Sequence, residues 1–163
     1  MVLAVVTALG SQDLPRIEGD SLAGHHVILP DAVGGKVTVL VMGFSKASKA
    51  PTSAWGNKLE TDFGAITDFA LYQLPVLEDV PSLIRGMVIS SMKKGVPENR
   101  REYFVPLLHG ESDLKKLVNY KEPDDAYLIL LDRTDKIVYQ MHGPFTETNY
   151  TEFRRHIVAL TGP

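Results

Sequence analysis

Two serines and two lysines lie close together in the first half of the chain. Ser45, Lys46, Ser48 and Lys49 follow the long apolar run 36–44. A serine hydroxyl becomes a nucleophile when a base within hydrogen-bond reach takes its proton, and an amine can serve as that base. The four residues define a candidate site for non-thiol chemistry or, where no base is in reach, a polar binding loop.

Other patterns that could carry chemistry are weaker. The stretch 43–47 is similar to a degenerate nucleophile elbow, but an α/β-hydrolase sheet is hard to fit into 163 residues. None of the histidines has the spacing of a helical metal-binding pair. They are His25, His26, His109, His142 and His156. We therefore expect no hydrolase site, no metal and no cofactor.

Composition excludes several further classes of function. The chain has no cysteine, so it offers no disulfide, no zinc–thiolate site and no thiol nucleophile. A formal net charge of −3 provides no basic field for nucleic acid. The hydrophobic fraction of 44% and the charged fraction of 23% are those of a globular protein, so we do not expect disorder.

The first residues allow two interpretations. Residues 2–9 are apolar, and Ala8 and Gly10 are small residues placed as before a signal-peptidase cut. A remnant of a secretory signal would make the protein exported or periplasmic. A buried strand rich in valine would leave it cytoplasmic. The run is too short for a transmembrane segment. We treat residues 1–13 as an N-terminal extension and residues 14–163 as one domain.

Two continuous apolar runs, 36–44 and 126–132, predict central strands buried on both faces. The tight turn 133–135 then leads into an antiparallel strand over 136–143. A further strand is predicted over 70–77, with Pro75 at a strand end or sheet edge. The segment 14–30 is predicted to be a hairpin that turns at Gly19 and Asp20.

Apolar residues at spacings of three and four predict the helices. The first helix opens at Pro51, and a second starts at Pro81. Two others are predicted over 112–118 and from about 149 to 160. The residues that share an apolar face are Trp55, Leu59 and Phe63 in the first helix, Leu83, Ile84, Met87 and Val88 in the second, and Tyr150, Phe153, Ile157 and Leu160 in the last. The order of elements predicts one mixed sheet with helices on both faces.

This order resembles the thioredoxin fold over roughly residues 14–160. The segments 35–41 and 128–138 carry the resemblance. The first is similar to the Gly-Lys opening strand of thiol-disulfide reductases and peroxiredoxins, and the second to their closing hairpin. Residues 139–143 are also similar to the trailing strand of the mitochondrial ATP-synthase assembly-factor family. The resemblance implies an α/β three-layer sandwich with a mixed central sheet.

The chain departs from these families at their redox site. Their Cys-x-x-Cys motif, at a helix N-terminus, falls either on residues 47–50 or on residues 45–48, which contain no sulfur. Their cis-proline position falls on Ala126, three residues after Pro123. The resemblance thus implies a scaffold without its redox chemistry.

Two hypotheses of function follow. In the first, the protein is redox-inactive and binds another protein or a peptide, as an assembly factor or a chaperone-like adaptor. The expected contact surface is the vestigial active-site loop with its flanks: Ser45, Lys46, Ala47, Ser48, Lys49, Ala50, Trp55 and Ala126. Free N–H groups near residues 51–54 would help to attract hydrogen-bond acceptors. In the second, the protein is an enzyme that uses the serines and lysines of this loop for non-thiol chemistry.

The absence of cysteine leads to a direct prediction. The purified chain should neither reduce insulin disulfides nor turn over peroxide, because thiol–disulfide exchange requires a thiolate. Insulin turbidity and peroxide consumption measure the two activities. Turnover above the blank by the metal-free protein would contradict the prediction.

Overall fold

The computed structural model describes residues 11–162, and the apolar run 2–9 lies outside them. Seven strands and four helices follow one another along this part of the chain. The strands are β1 Gln12–Asp13, β2 Ile17–Asp20, β3 His26–Leu29, β4 Val37–Gly43, β5 Phe69–Pro75, β6 Ala126–Leu131 and β7 Lys136–Gly143. The helices are α1 Lys49–Phe63, α2 Ser82–Gly95, α3 Glu111–Leu117 and α4 Glu147–Thr161. Short 3-10 turns occupy Asp31–Val33 and Glu98–Tyr103.

Five strands form one mixed sheet in the order β1-β7-β6-β4-β5. Strands β4 and β5 are parallel, whereas β6 is antiparallel to both β4 and β7. Every residue of β4 and of β6 is buried. The prediction that the two apolar runs form interior strands of one sheet is confirmed, as is the antiparallel return of β7.

The two faces of the sheet bury separate apolar clusters. Val39 and Val41 of β4 point to the face covered by α1 and α4. Leu40 and Met42 point to the other face, which α3 and the β2–β3 hairpin cover. This alternation follows from the two-residue period of a strand. The predicted α/β architecture with helices on both faces is therefore confirmed.

A hydrogen bond joins the two helices on the first face. The hydroxyl of Tyr150 on α4 donates to the carboxylate of Asp62 at the end of α1. This bond holds the pKa of Asp62 below its usual range. Burial and the same bond raise the pKa of Tyr150. The contact links α1 to α4, which also share one apolar cluster.

A stretch of extended chain covers the β5 edge of the sheet. Val105 donates its N–H to the carbonyl of Gln73 at 2.9 Å, and Leu107 donates to that of Pro75 at 2.8 Å. The segment 104–107 runs parallel to β5, and both Val105 and Leu107 are buried. Pro75 is the last residue of its strand, as predicted, because proline has no N–H for a ladder.

The hairpin turns later than the sequence predicts. Gly19 and Asp20 lie within β2, paired with Val27 and His26, and the chain reverses over residues 21–25. Close packing explains why a glycine lies in the strand. A Cβ on Gly19 would come within 3.0 Å of a methyl carbon of Val105. The prediction of a turn at Gly19 and Asp20 is therefore wrong.

Helix α2 forms and ends where predicted, but its apolar face does not pack against the sheet. None of its residues is buried. Leu83 is 97% exposed, Met87 68% and Ile84 42%. Helical periodicity indicates which residues share a face, whereas the neighbouring elements decide whether that face is covered.

Because β6 lies at the centre of the sheet, shortening one of its side chains should lower the stability of the protein considerably. Leu130 is fully buried, so Leu130→Ala should lower the free energy of unfolding by about 2–5 kcal/mol through loss of apolar contact and a residual cavity. Urea denaturation measures the change. Val138→Ala on β7 is the control, because Val138 is 38% exposed and should change stability by less than about 0.5 kcal/mol. Equal effects of the two substitutions would contradict the assigned core.

Candidate functional site: the connection from β4 to α1

The predicted site residues surround the point where β4 ends and α1 begins. Gly43 is the last residue of β4, and α1 starts at Lys49. A Cβ on Gly43 would lie 2.3 Å from Ser48 Oγ and 3.1 Å from a methyl carbon of Thr52. Glycine is favoured here because side chains from the start of the helix lie directly against the end of the strand. The helix begins two residues earlier than predicted, so Pro51 lies inside its first turn.

The two serines of the connection bond to each other. Ser48 Oγ donates to the carbonyl oxygen of Ser45 at 2.7 Å, and the N–H of Ser48 donates to Ser45 Oγ at 3.1 Å. Ser48 is 3% exposed. Its only hydroxyl hydrogen is therefore already used within the chain. Ser48 shapes the connection rather than facing a ligand.

Ser45 is partly exposed, and its hydroxyl donates to a carboxylate. The partner is Asp124 Oδ1, at 3.3 Å. A carboxylate is a weaker base than the imidazole or amine that usually activates a serine, so it activates an alcohol poorly. Among residues 11–162, no histidine is hydrogen-bonded to either serine hydroxyl. Within the same residues no lysine amine is hydrogen-bonded to them either: Ser45 Oγ donates to a carboxylate and Ser48 Oγ to a carbonyl.

The exposed part of the site consists of small and cationic residues. Lys46, Ala47, Lys49 and Ala50 are all exposed. The N–H groups of Ser48 and Lys49 donate to carbonyls of Ser45 and Lys46, at 3.2 Å in both cases. These groups are not free for an anion. Of the residues 51–54 that were expected to offer free N–H groups, Pro51 has none and Thr52 donates its N–H to the carbonyl of Ser48 at 3.0 Å. The positive charge of this surface comes from the lysine side chains. We call residues 45–50 the 45–50 segment.

Two residues predicted to flank the binding surface are in the core. Trp55 is fully buried on α1, against Phe145, Tyr150 and Phe153. Ala126 is fully buried at the start of β6. Neither side chain can contact a partner on the surface, because both belong to the apolar cluster between the sheet and helices α1 and α4.

The structure adds an aromatic cluster that the sequence did not reveal. Phe44 makes edge contacts with Tyr120 and Tyr127, with ring centroids 5.2 and 5.4 Å apart. His142 stacks on Tyr127 at 5.3 Å, and its Nδ1 lies 2.8 Å from Asp125 Oδ2. The strand register brings these groups together from distant parts of the chain. The sequence offered one sign of this site, the adjacent carboxylates Asp124 and Asp125 directly before β6.

A shallow groove of about 890 Å³ continues from this cluster along α3. Lys115 lies over the Tyr120 ring at 4.6 Å and pairs with Glu111 at 2.8 Å. The Glu111 carboxylate raises the pKa of Lys115. The groove extends to Glu78 and Asp79 before α2. The 45–50 segment, the aromatic cluster and the groove thus form one side of the molecule.

Two structural findings concern metals and membranes. Among residues 11–162, no group of three or more histidine, aspartate and glutamate side chains is placed to hold a metal ion. Over the same residues, no helix combines the length and the apolar character needed to cross a bilayer.

The fold is shared with solved thioredoxin-like proteins. A DsbE-type thiol:disulfide interchange protein from Chlorobium tepidum superposes with a TM-score of 0.66 at 17% identity, covering 96% of this chain and 100% of its own. BsSco, of the Sco family of cytochrome c oxidase assembly proteins, superposes with a TM-score of 0.62 at 12% identity. The match covers 93% of this chain and 94% of BsSco. The exposed lipoprotein thioredoxin from Streptococcus pneumoniae superposes with a TM-score of 0.61 at 13% identity. The match covers 87% of this chain and 99% of the lipoprotein chain.

These likenesses establish the fold. The chain has a thioredoxin-like fold, as its sequence predicted, and it has that fold without any cysteine. No protein-family model matches the sequence. No curated protein matches it either.

The contact between Gly43 and Ser48 leads to a prediction. Gly43→Ala should lower the free energy of unfolding by about 1–3 kcal/mol, because its Cβ would overlap Ser48 Oγ. Ser48→Ala in the same chain should restore part of this loss by removing that oxygen. A double-mutant cycle by urea denaturation measures the coupling. Additive effects of the two substitutions would show that the strand end and the helix start are not in contact.

Proposed function

We propose that this protein is a redox-inactive thioredoxin-like protein that works by binding another protein or a peptide, in the role of an assembly factor or adaptor. The proposed contact surface is the exposed part of the 45–50 segment: Ser45, Lys46, Ala47, Lys49 and Ala50. Ser48 would hold this surface in shape through its hydrogen bonds to Ser45, whereas Trp55 and Ala126 are buried in the core and lie outside it. The Phe44–Tyr120 edge would extend it.

The observation that carries the proposal is the state of the serine hydroxyls. Ser48 Oγ donates to a carbonyl inside the chain, and Ser45 Oγ donates to the Asp124 carboxylate. A nucleophile needs a base that accepts its proton and a concave site beside it. The 45–50 segment instead presents two lysines and two alanines to solvent. Such a surface can bind without reacting.

The solved relatives are consistent with this role. Several are thiol:disulfide interchange proteins, and BsSco belongs to a family of cytochrome c oxidase assembly proteins. A scaffold used both for redox chemistry and in assembly proteins can retain a binding surface after its thiols are lost. The corresponding loop of the present chain contains no sulfur.

A photo-crosslinking amino acid at position 47 tests the surface directly. Incorporated in place of Ala47 in cells of the source organism, it should yield a discrete protein adduct. The same group in place of Asn57 should not, because Asn57 is exposed on α1 away from the 45–50 segment. Mass spectrometry then identifies the adduct, and the purified partner is used for titration. Equal labelling from both positions would contradict the proposed surface.

Substitutions then separate binding from catalysis. Ala47→Glu should weaken the captured partner about tenfold or more, because it places an acidic side chain between Lys46 and Lys49 within the contact. Asn57→Glu adds the same charge elsewhere and should have no effect. Ser45→Ala should leave affinity within about twofold. A folded Ser45→Ala protein that has lost all function would replace the binding proposal with a serine-dependent activity.

A further inference from the structure

The outward face of α2 combines large apolar side chains with lysines. Leu83 and Met87 are four residues apart, and Lys94 follows Met87 by seven, so the three lie on one face of the helix. Ile84 lies beside them, and Lys93 flanks them in the last turn. The apolar side chains occupy the first half of this face, and the lysines occupy the end.

The charge of this segment differs from that of the rest of the chain. Residues 80–97 include Arg85, Lys93 and Lys94 but no aspartate or glutamate, although the whole chain has a net charge of −3. Within residues 11–162, Lys93 and Lys94 form no ion pair with a carboxylate. Glu78 and Asp79 precede this segment and Glu98 follows it, so the positive charge is local to the helix and is greatest in its last turn.

The position of α2 does not depend on its outward face. The guanidinium of Arg85 donates to the carbonyls of Glu78 and Val80, at 3.0 Å in both cases, and so fastens the helix to the chain before it. Val88 and Met92 lie half-buried on the inward side. The exposure of Leu83 and Met87 is therefore compatible with a fixed helix that presents them to a partner.

We propose that α2 docks this protein on the surface of an anionic lipid bilayer. Leu83, Ile84 and Met87 would insert among the acyl chains just below the headgroups. Lys93 and Lys94 would pair with the lipid phosphates. At 14 residues, α2 would lie in the plane of the membrane and not cross it. This surface is separate from the 45–50 segment.

Charge complementarity favours lipid over a second copy of the chain. Two α2 helices packed against each other would bring four lysines together, with no carboxylate on either helix to pair with them. An anionic bilayer supplies the missing negative charge as well as an apolar layer. Each lysine near such a surface strengthens binding about fivefold.

Sedimentation with lipid vesicles tests the proposal. The wild-type protein should bind vesicles of phosphatidylcholine with phosphatidylglycerol and bind pure phosphatidylcholine weakly. Leu83→Ser with Met87→Ser should weaken binding about tenfold or more. Lys93→Gln with Lys94→Gln should weaken it about 25-fold on anionic vesicles only. Lys116→Gln with Lys121→Gln is the control of equal charge loss, and should change binding by less than about twofold.

A fluorescent label reports insertion directly. Because the chain has no cysteine, Met87→Cys provides a single attachment point for an environment-sensitive dye. Its emission should shift to the blue on anionic vesicles, while the dye at Ser112→Cys, exposed on α3, should not shift. Circular dichroism confirms that each variant is folded.

Three results would overturn the proposal. They are no binding of the wild-type protein to anionic vesicles, equal binding by the wild type and the α2 variants, and no shift from the dye at position 87. A concentration-dependent dimer, abolished by the Leu83 and Met87 substitutions and without vesicle binding, would identify a second copy as the occupant. Ala47→Glu should leave vesicle binding unchanged. A wrong proposal for the 45–50 segment can therefore be distinguished from a wrong proposal for α2.

Discussion

The burial of β4 on both of its faces determines where the other elements lie. Its residues are almost all large and apolar, so each face needs a layer that excludes water. Helices α1 and α4 provide one layer, and α3 with the β2–β3 hairpin provides the other. Strand β6, buried to the same extent, extends this requirement to the centre of the sheet.

The chemistry of the 45–50 segment follows from the turn by which the chain passes from β4 into α1. After β4 the chain must turn sharply and return across the strand, which brings Ser48 against Gly43. The backbone polar groups of this turn must be satisfied, and the hydroxyls of Ser45 and Ser48 do so. The same bonds remove Ser48 as a nucleophile. The residues that remain available to a partner are the exposed alanines and lysines.

Helix α2 lies outside both layers. Each sheet face is already covered, so the apolar residues of α2 find only partial cover on one side. Nearby, the edge of β5 is occupied by residues 104–107, which leaves no strand edge for α2 to protect. A helix with Leu83 almost fully exposed loses the stabilisation that burial would bring. A partner that covers it, such as a lipid surface, would recover that free energy.

The sequence by itself determined the four helices and most of the strands, the interior position of β4 and β6, and the absence of thiol chemistry, because apolar period and composition are local properties. It predicted a thioredoxin-like scaffold and located the 45–50 segment. Only the tertiary structure decided which groups meet. The burial of Trp55 and Ala126, the bond from Ser45 to Asp124 and the exposure of Leu83 depend on strand register and on neighbouring layers. These contacts join residues far apart in the chain, and no local pattern specifies them.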